Sequence, residues 1–435
     1  MTAETATAVG VADSPYNSKS YRYYALGLLT LTYAFNFVDR QILAILQEPI
    51  KAELGLSDSQ LGLLTGFAFA VFYVVCGIPI ARWADRGVRR SIIALAIAVW
   101  SAMTGLCGLA QNYVQLLLAR IGVGVGEAGG SPPAHSMISD IFPPSERATA
   151  LSTYSVGINI GIMAGFLMGG WLNEFFGWRV AFMVVGIPGV LLAILVRTTL
   201  AEPVRGLSEN RQASGENANF RDVLSVLWNC RSFRHLALAA ALNAFCGYSA
   251  ANWTASFMIR SHDMATGELG TWLAVILGGG GAIGVFGGGL LADRLASRDK
   301  RWYAWLPALT GLMALPFQVG IYMAGSPYLA LGLAVFPGIV SNVYLGNTIA
   351  TTHGLVGLRM RAMASAILFL ILNIIGLGMG PWTIGLVSDA LAPTLGAESL
   401  RYAMLYIIPV VSFWSICHFY LASRSLREDL ANAPD

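Results

Sequence analysis

Long apolar segments recur along the whole chain, and they constrain its fold more than any other feature. They follow one another at intervals of about 25–35 residues, and each can cross about 30 Å of hydrocarbon as an α-helix. The sequence therefore predicts an all-α membrane protein with twelve transmembrane helices. We expect them at 23–46, 59–81, 91–111, 113–139, 148–172, 179–200, 234–259, 269–291, 302–324, 327–352, 362–388 and 402–423.

The charge content excludes the soluble classes of protein. Only 12% of the 435 residues are charged, whereas a soluble globular protein has about 25%. The hydrophobic fraction is 56% and the mean hydropathy is +0.62. A net charge of +3 with this apolar content also argues against disordered, collagen-like and nucleic-acid-binding proteins.

The basic residues predict the orientation in the membrane. Of the 27 Lys and Arg residues, 21 lie in the N-terminal segment, in every second connection after it, or in the C-terminal segment. The other connections hold only four, which are Lys51, Arg179, Arg260 and Arg401. Because basic residues favour cytoplasmic loops, both termini are predicted to be cytoplasmic. No sorting address is evident, so we expect a plasma membrane or a bacterial inner membrane.

A long polar segment at 201–233 divides the helices six and six. It mixes Glu, Arg, Ser, Asn and Gly, which is typical of a solvated linker. We therefore predict a cytoplasmic linker at this position between two six-helix bundles. The predicted divisions are a cytoplasmic tail at 1–22, bundles at 23–200 and 234–423, and a cytoplasmic tail at 424–435.

The two halves share a sequence pattern. ARWADRGVRR (81–90) follows the second predicted helix, and GLLADRLASRDKR (289–301) follows the eighth. Asp85 and Asp293 therefore occupy equivalent places in the two halves. Such internal symmetry is typical of transporters built from six-helix repeats.

Both stretches resemble the loop signature Gly-x-Leu-Ala-Asp-Arg-x-Gly-Arg-Arg of the major facilitator superfamily. The second copy diverges after Arg294, and the first has Ala81 and Val88 in place of glycines. Arg120-Ile-Gly-Val-Gly is similar to the superfamily's Arg-x-x-x-Gly signature, and 143–150 and 176–182 resemble the loops beside its fifth helix. The resemblance implies two pseudo-symmetric bundles with a central site that opens alternately to each side.

In that superfamily, the signature loops form a latch at the cytoplasmic face. The resemblance implies a cytoplasmic gate, and nearby arginines would hold its acidic residues by charge-assisted hydrogen bonds. The plainer alternative is that these arginines only set the topology. The predicted gate residues are Asp85, Arg86, Arg89, Arg147, Asp293 and Arg294.

Four charged residues fall inside predicted helices, namely Asp39, Arg40, Arg120 and Glu127. A charge within the bilayer costs several kcal/mol unless it is paired or faces a cavity. Two acids and two bases sum to zero, as expected for one cluster. Arg120 and Glu127 are seven residues apart, so they lie on the same face of the fourth helix.

A buried carboxylate favours its protonated form unless a cation holds it ionised. We therefore predict that Asp39 and Glu127 are proton acceptors, and that Arg40 and Arg120 tune them or bind an anionic group of a substrate. Tyr33 and Asn36 complete this predicted network on the first helix. The alternative is a static ion-pair network that only fixes packing.

Tyr33-Ala-Phe-Asn-Phe-Val-Asp-Arg40 and Arg120 with GVGEAGGSP (124–132) are similar to the spinster branch of the superfamily. Its members transport lysolipids, including sphingosine phosphate, or are linked to lysosomal lipid and sugar efflux. The resemblance implies an amphiphilic substrate carried by alternating access, and the buried carboxylates predict that this movement is coupled to protons. Sugar-acid, organic-anion or drug transport is the alternative within the superfamily.

A membrane-embedded lipid-modifying enzyme is the alternative from another class. It would need catalytic groups gathered near one membrane face, and no Ser-His-Asp or GxSxG arrangement occurs. The five cysteines and five histidines have no disulfide or metal spacing, so neither a metal nor a cofactor is predicted. We expect a monomer that contacts only the bilayer, protons and a small-molecule substrate.

Overall fold

The computed structural model describes residues 14–205 and 220–433, and every regular element in these ranges is a helix. The all-α prediction is confirmed. Most of the predicted tail 1–22, residues 206–219 of the predicted linker, and the last two residues lie outside the described ranges.

The described residues contain the twelve predicted spans. Two of them are interrupted by short turns, at 128–130 and 341–342. In chain order the spans are α1 Lys19–Leu54, α2 Asp58–Arg86, α3 Arg89–Cys107, α4 Tyr113–Glu127 with Ser131–Ile141, α5 144–176, α6 178–199, α7 Arg231–His262, α8 Thr266–Ala296, α9 Trp302–Met323, α10 Pro327–Val340 with Val343–Gly354, α11 361–395 and α12 Ser399–Ala431.

Seven helical stretches in the described chain are long and apolar enough to cross a membrane. The two longest, Pro144–Thr199 and Arg361–Ala431, each comprise two spans. Gly177 divides the first with φ 81°, and Gly396 divides the second with φ 56°. Only glycine adopts such left-handed angles without a steric penalty. With α1, α4 and α7, these stretches give twelve spans.

Three spans contain a wider π-helical segment. These segments are Leu63–Phe67 in α2, Ala274–Gly279 in α8 and Leu372–Met379 in α11. A π-helical segment shifts the backbone hydrogen bonds by one residue and often marks a functional position. In α2 and α8, the second helices of the two halves, it begins within the first ten residues of the helix.

The helices pack as two compact units. Within the described residues, unit 1 comprises 14–42 and 72–205, and unit 2 comprises 43–71 and 220–433. The end of α1 and the beginning of α2 therefore belong to unit 2. The two units are defined by which residues pack together, whereas the predicted bundles are continuous segments of the chain. The predicted bundle boundaries at 23–200 and 234–423 therefore stay predictions.

Within unit 1, a glycine stripe brings α5 against α1. A Cβ atom added to Gly157 would lie 2.6 Å from the carbonyl oxygen of Thr30. One added to Gly161 would lie 2.6 Å from the Cβ atom of Phe37. Small residues at this spacing let helix backbones approach closely. The stripe thus fixes the part of α1 that contains the predicted site.

Candidate functional site

The four predicted intramembrane charges come together within unit 1. Asp39 on α1 and Arg120 and Glu127 on α4 expose only 1%, 2% and 1% of their surface. Arg40 follows Asp39 on α1, and its side chain is 14% exposed. The helical spacing predicted a common face for Arg120 and Glu127, and both side chains lie in this cluster.

Arg40 and Glu127 form a direct ion pair in the cluster. The Nε atom of Arg40 donates to Oε2 of Glu127 at 2.6 Å. The guanidinium group also lies 5.0 Å from the ring centres of Phe37 and Tyr73, a cation–π arrangement. The side chain of Asn36 lies beside Glu127. Arg40 therefore combines an acidic partner with two aromatic faces.

Asp39 is held differently from Glu127. Nη1 of Arg120 donates to the main-chain carbonyl oxygen of Asp39 at 3.1 Å. The carboxylate of Asp39 interacts electrostatically with Glu127 and Arg120, and the Thr104 hydroxyl lies beside it. Neither carboxylate oxygen meets hydrogen-bond geometry with a neighbour in the described part of the chain. The carboxylate of Asp39 is therefore held less firmly than that of Glu127, which accepts a hydrogen bond from Arg40 at 2.6 Å.

Tyr33 lies two turns before Arg40 on α1 and forms part of an aromatic group. Its ring stacks on Tyr154 of α5 with 4.4 Å between ring centres and 3° between planes. Phe37 meets Tyr33 edge-on at 5.3 Å, and His135 meets Tyr154 edge-on at 5.2 Å. Sequence reasoning missed Tyr154 and His135. Tyr154 lies one turn before Gly157, so the regular spacing of glycines along α5 is the sequence signal that could have indicated this face.

Arg89, one of the predicted gate residues, is fully buried at the start of α3. It forms an ion pair with Asp140 of α4. Its Nε atom donates to Glu202 at 2.8 Å, and its Nη2 atom donates to the carbonyl oxygen of Pro203 at 2.8 Å. Arg89 therefore joins α3, α4 and the segment after α6 within unit 1.

The other predicted gate residues of unit 1 are arranged more loosely. Nη2 of Arg147 donates to the carbonyl oxygen of Ser139 at 2.9 Å. Asp85 and Arg86 are exposed, and neither makes an ion pair with the described residues. Arg89 at the start of α3 and Arg147 at the start of α5 are therefore both bonded to α4, whereas Asp85 and Arg86 lie at the surface at the end of α2.

The remaining predicted gate residues lie in unit 2. Asp293 and Arg294 are exposed near the end of α8. The Tyr303 hydroxyl donates to Oδ1 of Asp293 at 3.1 Å. Asp293 therefore contacts the start of α9 in its own unit.

A second buried charge cluster, in unit 2, was missed by the sequence analysis. Asp58 at the start of α2 is 2% exposed. Arg260 of α7 donates to both of its carboxylate oxygens, at 2.7 and 2.6 Å. Lys51 of α1 donates to Oδ1 at 2.5 Å, and the Ser388 hydroxyl donates to Oδ2 at 2.6 Å. The acid thus has three donor side chains from α1, α7 and α11.

Two further acidic residues complete this Asp58 cluster. Arg260 also donates to Glu48 of α1 at 2.7 Å. The carboxylate of Asp389 accepts the main-chain N–H groups of Asp58 and Ser59 at 2.9 and 2.8 Å. Asp389 therefore caps the N-terminus of α2, where helix amide groups lack partners. The sequence held one signal, because Lys51 and Arg260 are exceptions to the distribution of basic residues.

The comparison with known families decides the class of the protein. The model of the Major Facilitator Superfamily matches residues 29–381. The chain belongs to the major facilitator superfamily. An MFS-type efflux pump of Mycolicibacterium smegmatis is 34% identical over 93% of this chain and 94% of its own length.

Relatives in the spinster branch support the finer assignment. Protein spinster homolog 3 of Danio rerio is 25% identical over 95% of this chain and 87% of its own length. A bacterial homologue of the human lysosomal transporter Spinster, solved in an inward-facing and unoccupied conformation, is 34% identical. It matches with a TM-score of 0.87 and covers 95% of this chain and 99% of the homologue. The predicted membership of the spinster branch is confirmed.

Membership of this superfamily also decides between the classes weighed from the sequence. The chain is an integral multi-pass membrane protein with the major facilitator fold. It is a transporter of small molecules, and the enzyme alternative is wrong. Within residues 14–205 and 220–433, no group of three or more His, Cys, Asp or Glu residues could hold a metal ion.

Proposed function

We propose that this transporter moves an amphiphile with an anionic head group, such as a lysolipid or a sphingoid phosphate, by alternating access. Proton binding at Asp39 and Glu127 would be coupled to that movement. The observation that carries the proposal is the buried cluster of two carboxylates and two guanidinium groups in unit 1. The lysolipid class of substrate is what the resemblance to the spinster branch implies, and the chain has relatives in that branch.

The proposed coupling rests on the Arg40–Glu127 ion pair. A proton on Glu127 would remove the negative charge that holds the Arg40 guanidinium at 2.6 Å. Arg40 would then be available to an anionic head group, with the rings of Phe37 and Tyr73 beside it. Protonation and head-group binding would therefore favour each other, as linkage requires.

Asp39 argues against a purely static network. A cluster that served only packing would be expected to satisfy its buried acceptors, because an unsatisfied buried polar group costs about 1–3 kcal/mol. Both carboxylate oxygens of Asp39 lack a hydrogen bond among the described residues. A proton on Asp39 would therefore break no charge-assisted hydrogen bond comparable to the one between Arg40 and Glu127, and the neighbouring Thr104 hydroxyl is the group that would have to adjust.

The apolar part of the substrate is supported by a cavity within unit 2. It has a volume of about 120 Å³ and lies between α7, α8, α9, α10 and α12. Most of its lining is apolar, including Ile276, Ala314 and Phe419, with Asn243 and Tyr344 among the polar members. Such a lining suits a segment of an acyl chain better than a sugar acid, since the hydroxyl groups of a sugar would lose their hydration.

The substrate class is tested by a binding screen and then by transport. Lysolipids, sphingoid phosphates and sugar acids are compared by their effect on the thermal unfolding of the purified protein. The best ligand then enters flux measurements in proteoliposomes with an imposed pH gradient. A lysolipid or sphingoid phosphate should bind and move. A sugar acid or an unrelated drug that binds and moves instead would support the alternative substrate classes.

The proton role is tested on the same vesicles. Glu127→Gln and Asp39→Asn should abolish transport driven by the pH gradient, and the exposed Glu428→Gln variant serves as the control. Proton uptake on substrate binding is measured with an indicator dye in weak buffer. Glu127→Gln should remove that uptake. If both site variants keep transport driven by the pH gradient, the proton role is wrong.

The orientation and gate remain part of the proposal. We propose that the protein is a monomer with both termini in the cytoplasm. Its membrane would be a plasma membrane or a bacterial inner membrane. Asp85, Arg86, Arg89, Arg147, Asp293 and Arg294 would then form the cytoplasmic gate. Labelling of single cysteines introduced at exposed positions 86 and 294, from each side of the membrane, tests the orientation. Modification of either position only from the outside would contradict it.

A further inference from the structure

A short amphipathic helix, Phe220–Asn229, precedes α7 in unit 2. Only Cys230 separates it from Arg231, the first residue of α7. Cys230 has an extended conformation with φ −75° and ψ 115°, so the chain turns between the two helices. One extended residue spans about 3.5 Å. The short helix must therefore lie at the end of a membrane-spanning helix.

One face of this helix is fixed to unit 2. Val223 and Leu227 are fully buried and lie one helical turn apart. They belong to the same apolar core cluster as Phe233 of α7 and Phe419 and Leu426 of α12. This packing holds the helix on the body of unit 2 and determines which side chains face outward.

The outward face combines aromatic and basic side chains. Phe220 and Trp228 are 44% and 58% exposed. Arg221 lies two turns before Trp228, on the same side of the helix. Arg221, Leu224, Ser225 and Trp228 line a shallow surface depression. The indole ring of Trp228 and the guanidinium group of Arg221 are therefore both accessible from outside the protein near the beginning of α7.

The first turn of α7 adds to the positive charge. Arg231 and Arg234 are exposed and three residues apart, so they point to the same side of α7. Asp222 is the exposed acid of the short helix. The Asp429 carboxylate nearby accepts the main-chain N–H of Ser232 at 2.7 Å. Within Phe220–Asn229 and the first turn of α7, three exposed arginines therefore outweigh one exposed acid.

We propose that Phe220–Asn229 lies in the membrane interface and binds anionic phospholipids. Arg221, Arg231 and Arg234 would bind the lipid phosphates, and Trp228 would insert at the boundary between head groups and acyl chains. Indole rings favour this boundary, and arginines near a membrane end attract anionic lipids. The helix thereby anchors unit 2 to one leaflet. This inference goes beyond the proposed function, because the anchor does not depend on the transported substrate.

The position of Trp228 is tested by fluorescence. The full-length protein and its Trp228→Phe variant are reconstituted in nanodiscs with lipids brominated near the head group. Bromine quenches nearby indole rings, and the difference between the two proteins reports Trp228 alone. We expect Trp228 to be quenched by the brominated lipid. The same residual signal with brominated and ordinary lipids would overturn the interfacial position.

The charge contribution is tested by comparing lipids and variants. One variant replaces Arg221, Arg231 and Arg234 by Gln, and a matched control replaces the exposed Arg82, Arg197 and Arg359 by Gln. Each arginine near an anionic surface is worth about fivefold in lipid affinity, so the first variant should lose about 100-fold. Affinity is measured from the rise in unfolding temperature as phosphatidylglycerol is titrated into detergent-solubilised protein, with phosphatidylcholine as reference.

Three outcomes decide the proposal. A phosphatidylglycerol effect that is kept by the control and lost in the Arg221/Arg231/Arg234 variant supports it. Equal lipid affinity in both variants overturns it. If both keep the affinity of the unsubstituted protein, the lipid binds elsewhere, for example at the substrate site, and if both lose it equally, the attraction is not specific to this helix. Free glycerol 3-phosphate is titrated in parallel. If it matches phosphatidylglycerol, the arginines bind a soluble anion, and the membrane anchor is wrong.

Discussion

Replacement of Arg260 by Gln should destabilise unit 2 strongly, because Arg260 is the main cation of the Asp58 cluster. Its guanidinium group makes two hydrogen bonds to Asp58 and one to Glu48, all between 2.6 and 2.7 Å. Breaking a buried ion pair from one side costs about 3–5 kcal/mol. Lys51 remains beside Asp58 with 31% of its side chain exposed and partly replaces the lost positive charge. We therefore expect a loss at the lower end of this range, about 3 kcal/mol.

The loss is measured as a free energy of unfolding in mixed micelles with increasing denaturing detergent. Arg298→Gln is the matched control, because Arg298 is an exposed arginine of the same unit. A surface change of this kind should stay within about 0.5 kcal/mol. Both variants replace an arginine by glutamine, and only the arginine at position 260 is largely buried. The difference between their losses of unfolding free energy therefore measures the contribution of the Asp58 cluster.

A double-mutant cycle with Asp58→Asn tests the pairing itself. Residues in one hydrogen-bond network couple by about 0.5–3 kcal/mol, and the bidentate contact here favours the upper half of that range. The double variant should therefore be clearly more stable than the sum of the two single losses implies. A coupling energy near zero, or an Arg260→Gln loss equal to that of Arg298→Gln, would refute this account of the cluster.

Three further predictions concern single contacts. Gly161→Ala should cost about 1–3 kcal/mol in unfolding free energy, because an added methyl group would overlap α1. The control Gly27→Ala has open space around it and should be neutral or stabilising. Equal effects of the two variants would contradict the close packing of α5 against α1. Arg89→Gln should lower the free energy of unfolding by about 3 kcal/mol, because it breaks a buried ion pair. Replacement of the exposed Arg86 by Gln should change it by less than about 0.5 kcal/mol. Similar losses in the two variants would show that the contacts of Arg89 do not stabilise unit 1. Ala314→Leu should weaken binding of long-chain lysolipids more than of short-chain ones in the thermal assay, and a uniform effect would argue against an acyl chain in the unit 2 cavity.

The buried charges illustrate how far sequence reasoning reached. Asp39, Arg40, Arg120 and Glu127 could be identified because each interrupts an apolar segment, and lipid provides no partner for a charge. Their common burial in unit 1 was predicted from charge balance and helical spacing. The individual contacts were not predicted, since Arg40 pairs with Glu127 whereas Arg120 contacts the main chain of Asp39. Those choices depend on how α1 and α4 are rotated and packed.

Asp58 and Arg89 show where the sequence alone was insufficient. Both lie near predicted helix ends, where a charge is expected to be solvated, so neither stood out as buried. Their partners come from distant parts of the chain, such as Arg260 and Ser388 for Asp58 and Glu202 for Arg89. Only the folded arrangement of helices reveals that these ends are covered.

The sequence by itself determined the membrane class, the twelve spans and the charges that lipid could not accommodate. These features follow from local composition, because every stretch of about twenty residues must satisfy the bilayer separately. Tertiary structure alone decided which charges pair, that residues 43–71 pack with unit 2, and that the glycine stripe of α5 meets α1. Such pairings arise between segments distant in sequence, and their selection requires the packing of complete helices.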